Sequence, residues 1–132
     1  MTSLDLLKYA EEHGIIIEYS KLENVKSCAV DLDVVKIIGI NDKDMTEAEL
    51  RTHLAHELGH CELGAFYDFY SPVDNRKKAE YKANTWAIKK LLPKKKFIKA
   101  LKQGFTEAWQ LAEEFQVTED MVNLAYAYYF NK

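Results

Sequence analysis

Two histidines and a glutamate stand close together near the middle of the chain, in the run HELGH at residues 56–60. Side chains four residues apart lie on one face of a helix, one turn above the other. If this run is helical, the imidazoles of His56 and His60 can reach the same Zn²⁺ ion. Glu57 is then placed to take a proton from an attacking water. The HExxH pattern therefore predicts the core of a zinc-dependent peptide-hydrolysing site.

Neighbouring residues on the same segment have simpler interpretations. A single helical histidine is usually a surface residue or a satisfied core residue. We therefore interpret His53 as a packing or surface residue. The alternative is that its side chain supports a residue that binds the metal. Cys61 follows His60 and points away from the histidine face, so we expect a small buried residue rather than a ligand.

The third metal ligand has several candidates. A catalytic zinc usually takes three protein ligands and leaves a fourth position for water. Acidic residues after His60 are Glu62, Asp68, Asp74 and Glu80. Glu62 points away from the histidine face, and the two aspartates lie in a predicted loop. Glu80 is on the next predicted helix, where antiparallel packing would place it opposite the motif. Spacing alone leaves it open whether Glu80 is a ligand or a solvated residue among lysines.

The first third of the chain predicts one helix and a small sheet. A short amphipathic helix over residues 4–12 ends at Gly14. Three segments rich in β-branched residues follow at Ile15–Tyr19, Ala29–Leu32 and Val34–Ile40. Their short connections predict a three-stranded antiparallel sheet.

The rest of the chain predicts helices. Thr46 and Glu49 form a capping box at the start of the HExxH helix, which Gly64 ends. An aromatic loop over residues 65–73 leads to a helix that runs from Asp74 or Asn75 to about Leu92. The last three helices are predicted at Lys94–Lys102, Thr106–Phe115 and Thr118–Phe130, the latter two with threonine N-caps. The fold class is α+β, with the strands grouped before most of the helices.

Bulk composition limits the alternatives. The 132 residues predict one domain over positions 1–132, in which residues 94–132 form a helical extension packed on the rest. The net charge of −3 does not indicate a nucleic-acid partner. No apolar run approaches a membrane span, and no signal peptide is apparent. Two cysteines give no disulfide framework, so a reducing cytoplasm is the expected setting.

Four short motifs together resemble the ImmA/IrrE metallopeptidases. They are HELGHC at 56–61, GAFY at 64–67, EYKANTWA at 80–87 and LLP at 91–93. The resemblance covers residues 30–93 well and the first helix and strand loosely. It implies a small zincin-like fold, a Zn²⁺ cofactor and Glu80 as the third ligand. Many members carry a second acidic residue where this chain has Lys82, which leaves Glu80 as the acidic residue of that motif.

The same resemblance implies partners. Members encoded near phage repressors resemble enzymes that cleave a helix-turn-helix repressor under the control of another protein. A protein substrate of this kind and an activating partner are therefore expected.

Asn84, one turn after Glu80, is positioned to hydrogen-bond a metal-binding histidine.

Substrate binding and charge stabilisation require further residues. The oxyanion of amide hydrolysis needs a donor beyond the metal. Tyr67, Tyr70, Tyr81 and His13 are candidates, and the first two rank highest because their loop should border the site. Each has packing or surface exposure as its alternative. The strand Val34–Ile40, if it lies at the sheet edge, would bind an extended substrate by strand addition.

Two other functional classes remain. The last two helices resemble a helix-turn-helix in length, beside a lysine-rich stretch at 89–102. The second of them has no Arg or Lys before Lys132, and its aromatics predict core packing, which makes nucleic-acid binding the weaker interpretation. The other class is a zinc-binding sensor or tether without proteolysis, which a cleavage assay with Glu57→Gln would distinguish.

Overall fold

A computed structural model describes residues 1–41, 43–68 and 70–131, and the structure of Asp42, Phe69 and Lys132 lies outside this description. One helix precedes three strands, and five helices follow them. In chain order these are α1 (Ser3–Glu12), β1 (Ile15–Ser20), β2 (Ser27–Asp31), β3 (Lys36–Asn41), α2 (Glu47–Leu63), α3 (Val73–Leu91), α4 (Lys94–Lys102), α5 (Ala108–Phe115) and α6 (Glu119–Phe130). The α+β class predicted from the sequence is confirmed.

The sheet is mixed, with the strand order β1-β3-β2. β3 pairs with β1 in parallel and with β2 antiparallel, so the prediction of a purely antiparallel sheet is wrong. The most buried strand, β3, takes the centre, where Ile38 and Ile40 are buried. Val34, predicted as strand, is 94% exposed in the turn between β2 and β3. Alternating apolar residues show which face is buried but do not specify the neighbouring strands.

Helix α2 begins and ends as predicted. The Thr46 hydroxyl accepts from the Glu49 amide at 3.1 Å, and the Glu49 carboxylate accepts from the Thr46 amide at 3.2 Å. Gly64 takes a left-handed φ of 59° and ends the helix. The helix is buried on several sides because the sheet and α3 both pack against it, which places its two histidines inside the molecule.

Helices α2 and α3 approach each other closely at Gly59. A Cβ added at Gly59 would lie only 2.6 Å from the carbonyl oxygen of Ala83. On α3, three small residues at a spacing of four, Ala79, Ala83 and Ala87, are all buried. Small residues on both helices therefore set a short interhelical distance beside the HExxH motif.

The last three helices share the core of the rest of the chain. Phe97, Leu111 and Val122 belong to the same buried cluster as Leu54 and Leu58 of α2. Helix α4 has the predicted bounds, and Thr118 caps α6 by accepting from the Met121 amide.

The predicted Thr106 cap of α5 is wrong. The helix begins at Ala108 with Glu107 as its N-cap, because Gln110 accepts hydrogen bonds from the amides of Thr106 and Glu107. None of the described helices is long and apolar enough to span a bilayer.

Candidate active site

His56, His60 and Glu80 form a triangle where α2 meets α3. The Nε2 atoms of the two histidines are 3.2 Å apart. Glu80 contributes Oε2 at 2.9 Å from the His56 Nε2 and Oε1 at 3.1 Å from the His60 Nε2. Two ligands of a tetrahedral zinc, each about 2.0–2.1 Å from the ion, lie about 3.3 Å apart. The triangle thus matches one face of a tetrahedron, and the residues fit a zinc ion.

Both histidines are oriented through their other ring nitrogen. His56 Nδ1 lies 2.7 Å from the Asn84 Oδ1, the contact anticipated from the sequence. His60 Nδ1 lies 2.5 Å from the Ala65 carbonyl oxygen, which the left-handed Gly64 turns back over the helix end. Each oxygen can only accept, so each Nδ1 carries the proton. When the rings are neutral, their Nε2 lone pairs are therefore directed at the centre of the triangle.

The electrostatics of the triangle favour a cation. Hydrogen bonds with His56 and His60, and then with Tyr67, hold the pKa of the Glu80 carboxyl far below its usual range. Burial lowers the pKa of His60, but its contacts with Glu80 and Ala65 outweigh burial and raise it overall. Glu80 therefore remains negative at neutral pH and can balance a positive charge held between the histidines.

Glu57 lies beside the triangle and outside the ligand set formed by the described residues. Its side chain is buried, and its Oε2 accepts a hydrogen bond from the Ser27 hydroxyl at 2.6 Å. Ser27 is the first residue of β2 and is itself buried. This residue was missed in the sequence because the predicted strand began at Ala29, two positions later.

Tyr67 is the predicted oxyanion donor that the structure brings to the triangle. Its hydroxyl donates to Glu80 Oε1 at 2.8 Å. Burial, followed by this hydrogen bond, raises the pKa of Tyr67 to about 12. The phenol therefore keeps its proton at neutral pH and remains a hydrogen-bond donor.

The other predicted donors lie elsewhere. Tyr70 is 89% exposed and is not among the described residues that line the cavity beside the triangle. Tyr81 is largely exposed, and its ring centroid lies 6.3 Å from that of Tyr128. His13 ends α1 and stacks on Tyr9, with 3.9 Å between ring centroids.

The remaining acidic candidates for the third ligand have other partners or remain at the surface. Glu62 accepts a hydrogen bond from the Tyr9 hydroxyl at 2.9 Å. The Asp68 carboxylate accepts from the Ser71 hydroxyl at 3.1 Å, and Asp74 is exposed in the first turn of α3. Of the four acidic residues considered from spacing, the structure places Glu80 at the histidines.

A cavity of about 460 Å³ opens beside the triangle. Residues 25–29 form one wall, and Phe66, Tyr67 and the HExxH side chains form the other. His53, interpreted from sequence as packing, lies on this wall half-buried, and burial followed by the charge of Lys26 lowers its pKa.

The edge strand at this cavity is β2. The predicted edge strand, Val34–Ile40, corresponds to β3, which pairs on both sides and cannot accept another strand. β2 pairs with β3 on one side, and none of the described strands pairs with its other side. The condition for strand addition at Val34–Ile40, a position at the sheet edge, is therefore not met.

The fold and site together define the class of protein: a small α+β domain in which two histidines and a glutamate form a triangle that could hold a metal ion. The family model of the IrrE N-terminal-like domain, peptidase M78, matches residues 10–125. The chain belongs to this family. The match extends beyond residues 30–93, the part of the chain in which the resemblance was clear from the sequence.

A solved structure has the same fold. A Mycobacterium tuberculosis transcriptional regulator superposes with a TM-score of 0.70 at 18% identity, over 95% of this chain and 40% of that protein. The chain therefore spans less than half the length of this structural relative. No curated protein sequence matches the chain significantly.

Proposed function

We propose that the chain is a zinc-dependent endopeptidase that hydrolyses a peptide bond in a regulatory protein such as a helix-turn-helix repressor. The observation that carries the proposal is the pairing of a metal-binding triangle with a buried carboxylate outside it. His56, His60 and Glu80 would hold the ion, while Ser27 holds Glu57 away from it. A purely structural zinc site usually has four protein ligands and needs no adjacent base.

The chain's own residues supply the proton transfers. Zinc, when bound, supplies a Lewis acid that lowers the pKa of a water and polarises the peptide carbonyl. Glu57 takes one proton as the water oxygen bonds to the carbonyl carbon. When the C–N bond breaks, Glu57 returns that proton to the amine nitrogen. The second water proton stays on the acyl group, so the products are a carboxylic acid and an amine, which then exchange this proton to give a carboxylate and an ammonium.

Two further groups assist the substrate. Tyr67, which retains its proton, would redirect its hydroxyl from Glu80 to the developing oxyanion. The outer edge of β2 offers backbone donors and acceptors along one wall of the cavity. An extended substrate segment can pair there as an added strand, which places its backbone beside Glu57.

Nucleic acid is not the proposed partner. Helix α6, the recognition helix of the helix-turn-helix interpretation, contains no Lys or Arg between Glu119 and Phe130. Its exposed residues include Leu124, Tyr126 and Phe130, which are apolar or aromatic. These groups do not neutralise phosphates.

The test is cleavage of a purified repressor by the zinc-loaded chain, read by mass spectrometry of the fragments. We expect Glu57→Gln to keep its fold and zinc but to lose at least about 10²–10⁴-fold in rate. The matched control is Glu62→Gln, the same change on the same helix at a residue bonded to Tyr9. Equal cleavage by wild type and Glu57→Gln would refute the mechanism. Zinc binding without any cleavage by wild type would favour the sensor or tether interpretation.

A further inference from the structure

A second and larger cavity, of about 840 Å³, lies between α3 and α6. Tyr81 and Ile88 of α3 form one side, and Leu124 and Tyr128 of α6 form the other. Leu124 is 42% exposed although it is a large aliphatic residue. We call this cavity the α3–α6 groove. The aromatics of α6 were predicted to pack in the core, but several border this groove or solvent.

The charges in the α3–α6 groove have one sign. Lys89 and Lys94 are the charged residues among its described lining, and no carboxylate lies there. The Lys89 ammonium lies 6.0 Å from the centre of the Tyr128 ring. Lys94 begins α4, whose first turn contains further lysines and no acidic residue. Positive side chains at a helix N-terminus are unfavourable, so an anionic partner would relieve this arrangement.

The walls of the groove favour a helical occupant. Both walls are helices, whose backbone groups are already hydrogen-bonded internally, so the groove offers no strand edge to an extended peptide. A helix satisfies its own backbone bonds and presents only side chains. The wall from Tyr81 to Lys89 is about 12 Å long, at about 1.5 Å per residue, which matches a little over two turns of a partner helix.

We propose that the α3–α6 groove docks an amphipathic helix of a partner protein, with apolar residues on one face and Asp or Glu beside them. The apolar residues cover the exposed side chains of Leu124 and Tyr81, and the carboxylates pair with Lys89 and Lys94. Asn84, which orients His56, also lines this groove. The occupant therefore contacts a residue that holds a metal ligand.

The test uses two designed helical peptides and the full chain. One peptide has leucines at i, i+3, i+4 and i+7 with flanking glutamates, and its twin has lysines in place of the glutamates. Fluorescence anisotropy at physiological salt measures both affinities in the Glu57→Gln background, which prevents cleavage. The measurement involves no hydrolysis, so its outcome is independent of the proposed activity.

Charge-reversal variants test whether the peptide binds in the α3–α6 groove. We expect Lys89→Glu with Lys94→Glu to weaken the acidic peptide about tenfold or more. The control pair is Lys77→Glu with Lys78→Glu, the same charge change on exposed positions of α3 outside the groove, and we expect less than about threefold.

A second pair of variants tests the apolar contact without changing any charge. Leu124→Ala should weaken the acidic peptide, whereas Leu4→Ala, at an exposed leucine of α1, should not. Circular dichroism confirms that each variant is folded.

Several results would overturn the proposal. These are equal binding of both peptides, no binding below about 1 mM, or the same loss in the control pair as in the groove pair. Salt-sensitive binding of duplex DNA that requires Lys89 and Lys94, with no binding of the acidic peptide, would instead identify a phosphate-binding surface.

Discussion

Replacing Gly59 with alanine tests whether the close approach of α2 and α3 holds the metal triangle together. The new Cβ would lie 2.6 Å from the Ala83 carbonyl oxygen and 2.9 Å from its Cα. Ordinary van der Waals contact begins at 3.4 Å, so the helices must separate by about 0.8 Å at this point. Two sides of the triangle, from His56 and His60 to Glu80, cross this interface.

The Gly59→Ala substitution has two opposing effects on the free energy of unfolding. In an unobstructed helix, Gly→Ala stabilises by about 1 kcal/mol. Overpacking costs about 1–3 kcal/mol, so the net change in the free energy of unfolding should be about 0–2 kcal/mol of destabilisation. Zinc sites tolerate ligand displacements of only about 0.2 Å, so a separation of about 0.8 Å should weaken zinc binding roughly 10–100-fold.

The assays are urea unfolding of the metal-free chain and zinc competition with a chromophoric chelator. The clash involves backbone atoms of Ala83, so adding Ala83→Gly should not restore zinc affinity. A Gly59→Ala chain that is more stable than wild type and binds zinc equally would refute this account of the interface. Rescue by Ala83→Gly would show that the obstruction was a side chain.

Three further perturbations test the groups around the metal. Ser27→Ala removes the hydroxyl that donates a hydrogen bond to Glu57, so we expect unchanged zinc content and roughly tenfold slower hydrolysis. Ser27→Thr keeps a hydroxyl and should recover part of the rate. Equal hydrolysis rates for wild type and Ser27→Ala would exclude a positioning role for Ser27. Asn84→Ala should weaken zinc roughly 10–100-fold in the chelator assay, whereas Asn84→Asp keeps an acceptor for His56 and should bind nearly as well. Zinc binding needs neutral histidine, and the pKa of His60 is raised above 6.5 while that of Glu80 is lowered. The apparent zinc affinity should therefore fall as the pH is lowered through the raised His60 pKa. An affinity that does not change as the pH is lowered through this range would contradict this.

Local sequence signals predicted much of the site. The caps at Thr46 and Gly64 are encoded within a few residues of each helix end, and they set where the HExxH face points. The spacing of His56 and His60 follows directly from helix geometry. Glu80 required a family resemblance, because the packing of α3 on α2 depends on residues far apart in the chain.

Features that depend on contacts between residues far apart in the chain could not be predicted from local sequence signals. The central position of β3 depends on which strands pair, and alternation of apolar residues does not encode pairing. The contact between Ser27 and Glu57 joins residues thirty positions apart. Tyr67 and Tyr70 are equivalent in a sequence, and only the path of the loop brings the Tyr67 hydroxyl to Glu80 and leaves Tyr70 89% exposed.

Helix α3 carries on one rigid segment both Glu80, a candidate metal ligand, and Asn84, which supports His56. Glu80 contacts both histidines, and Asn84, one turn later, fixes the ring of His56. Because the two side chains share one backbone, an axial shift of α3 would displace both together. The position of α3 along α2 would then decide by itself whether the site is assembled. A partner that bound α3 and shifted it would therefore change the position of Glu80 and the support of His56 at the same time.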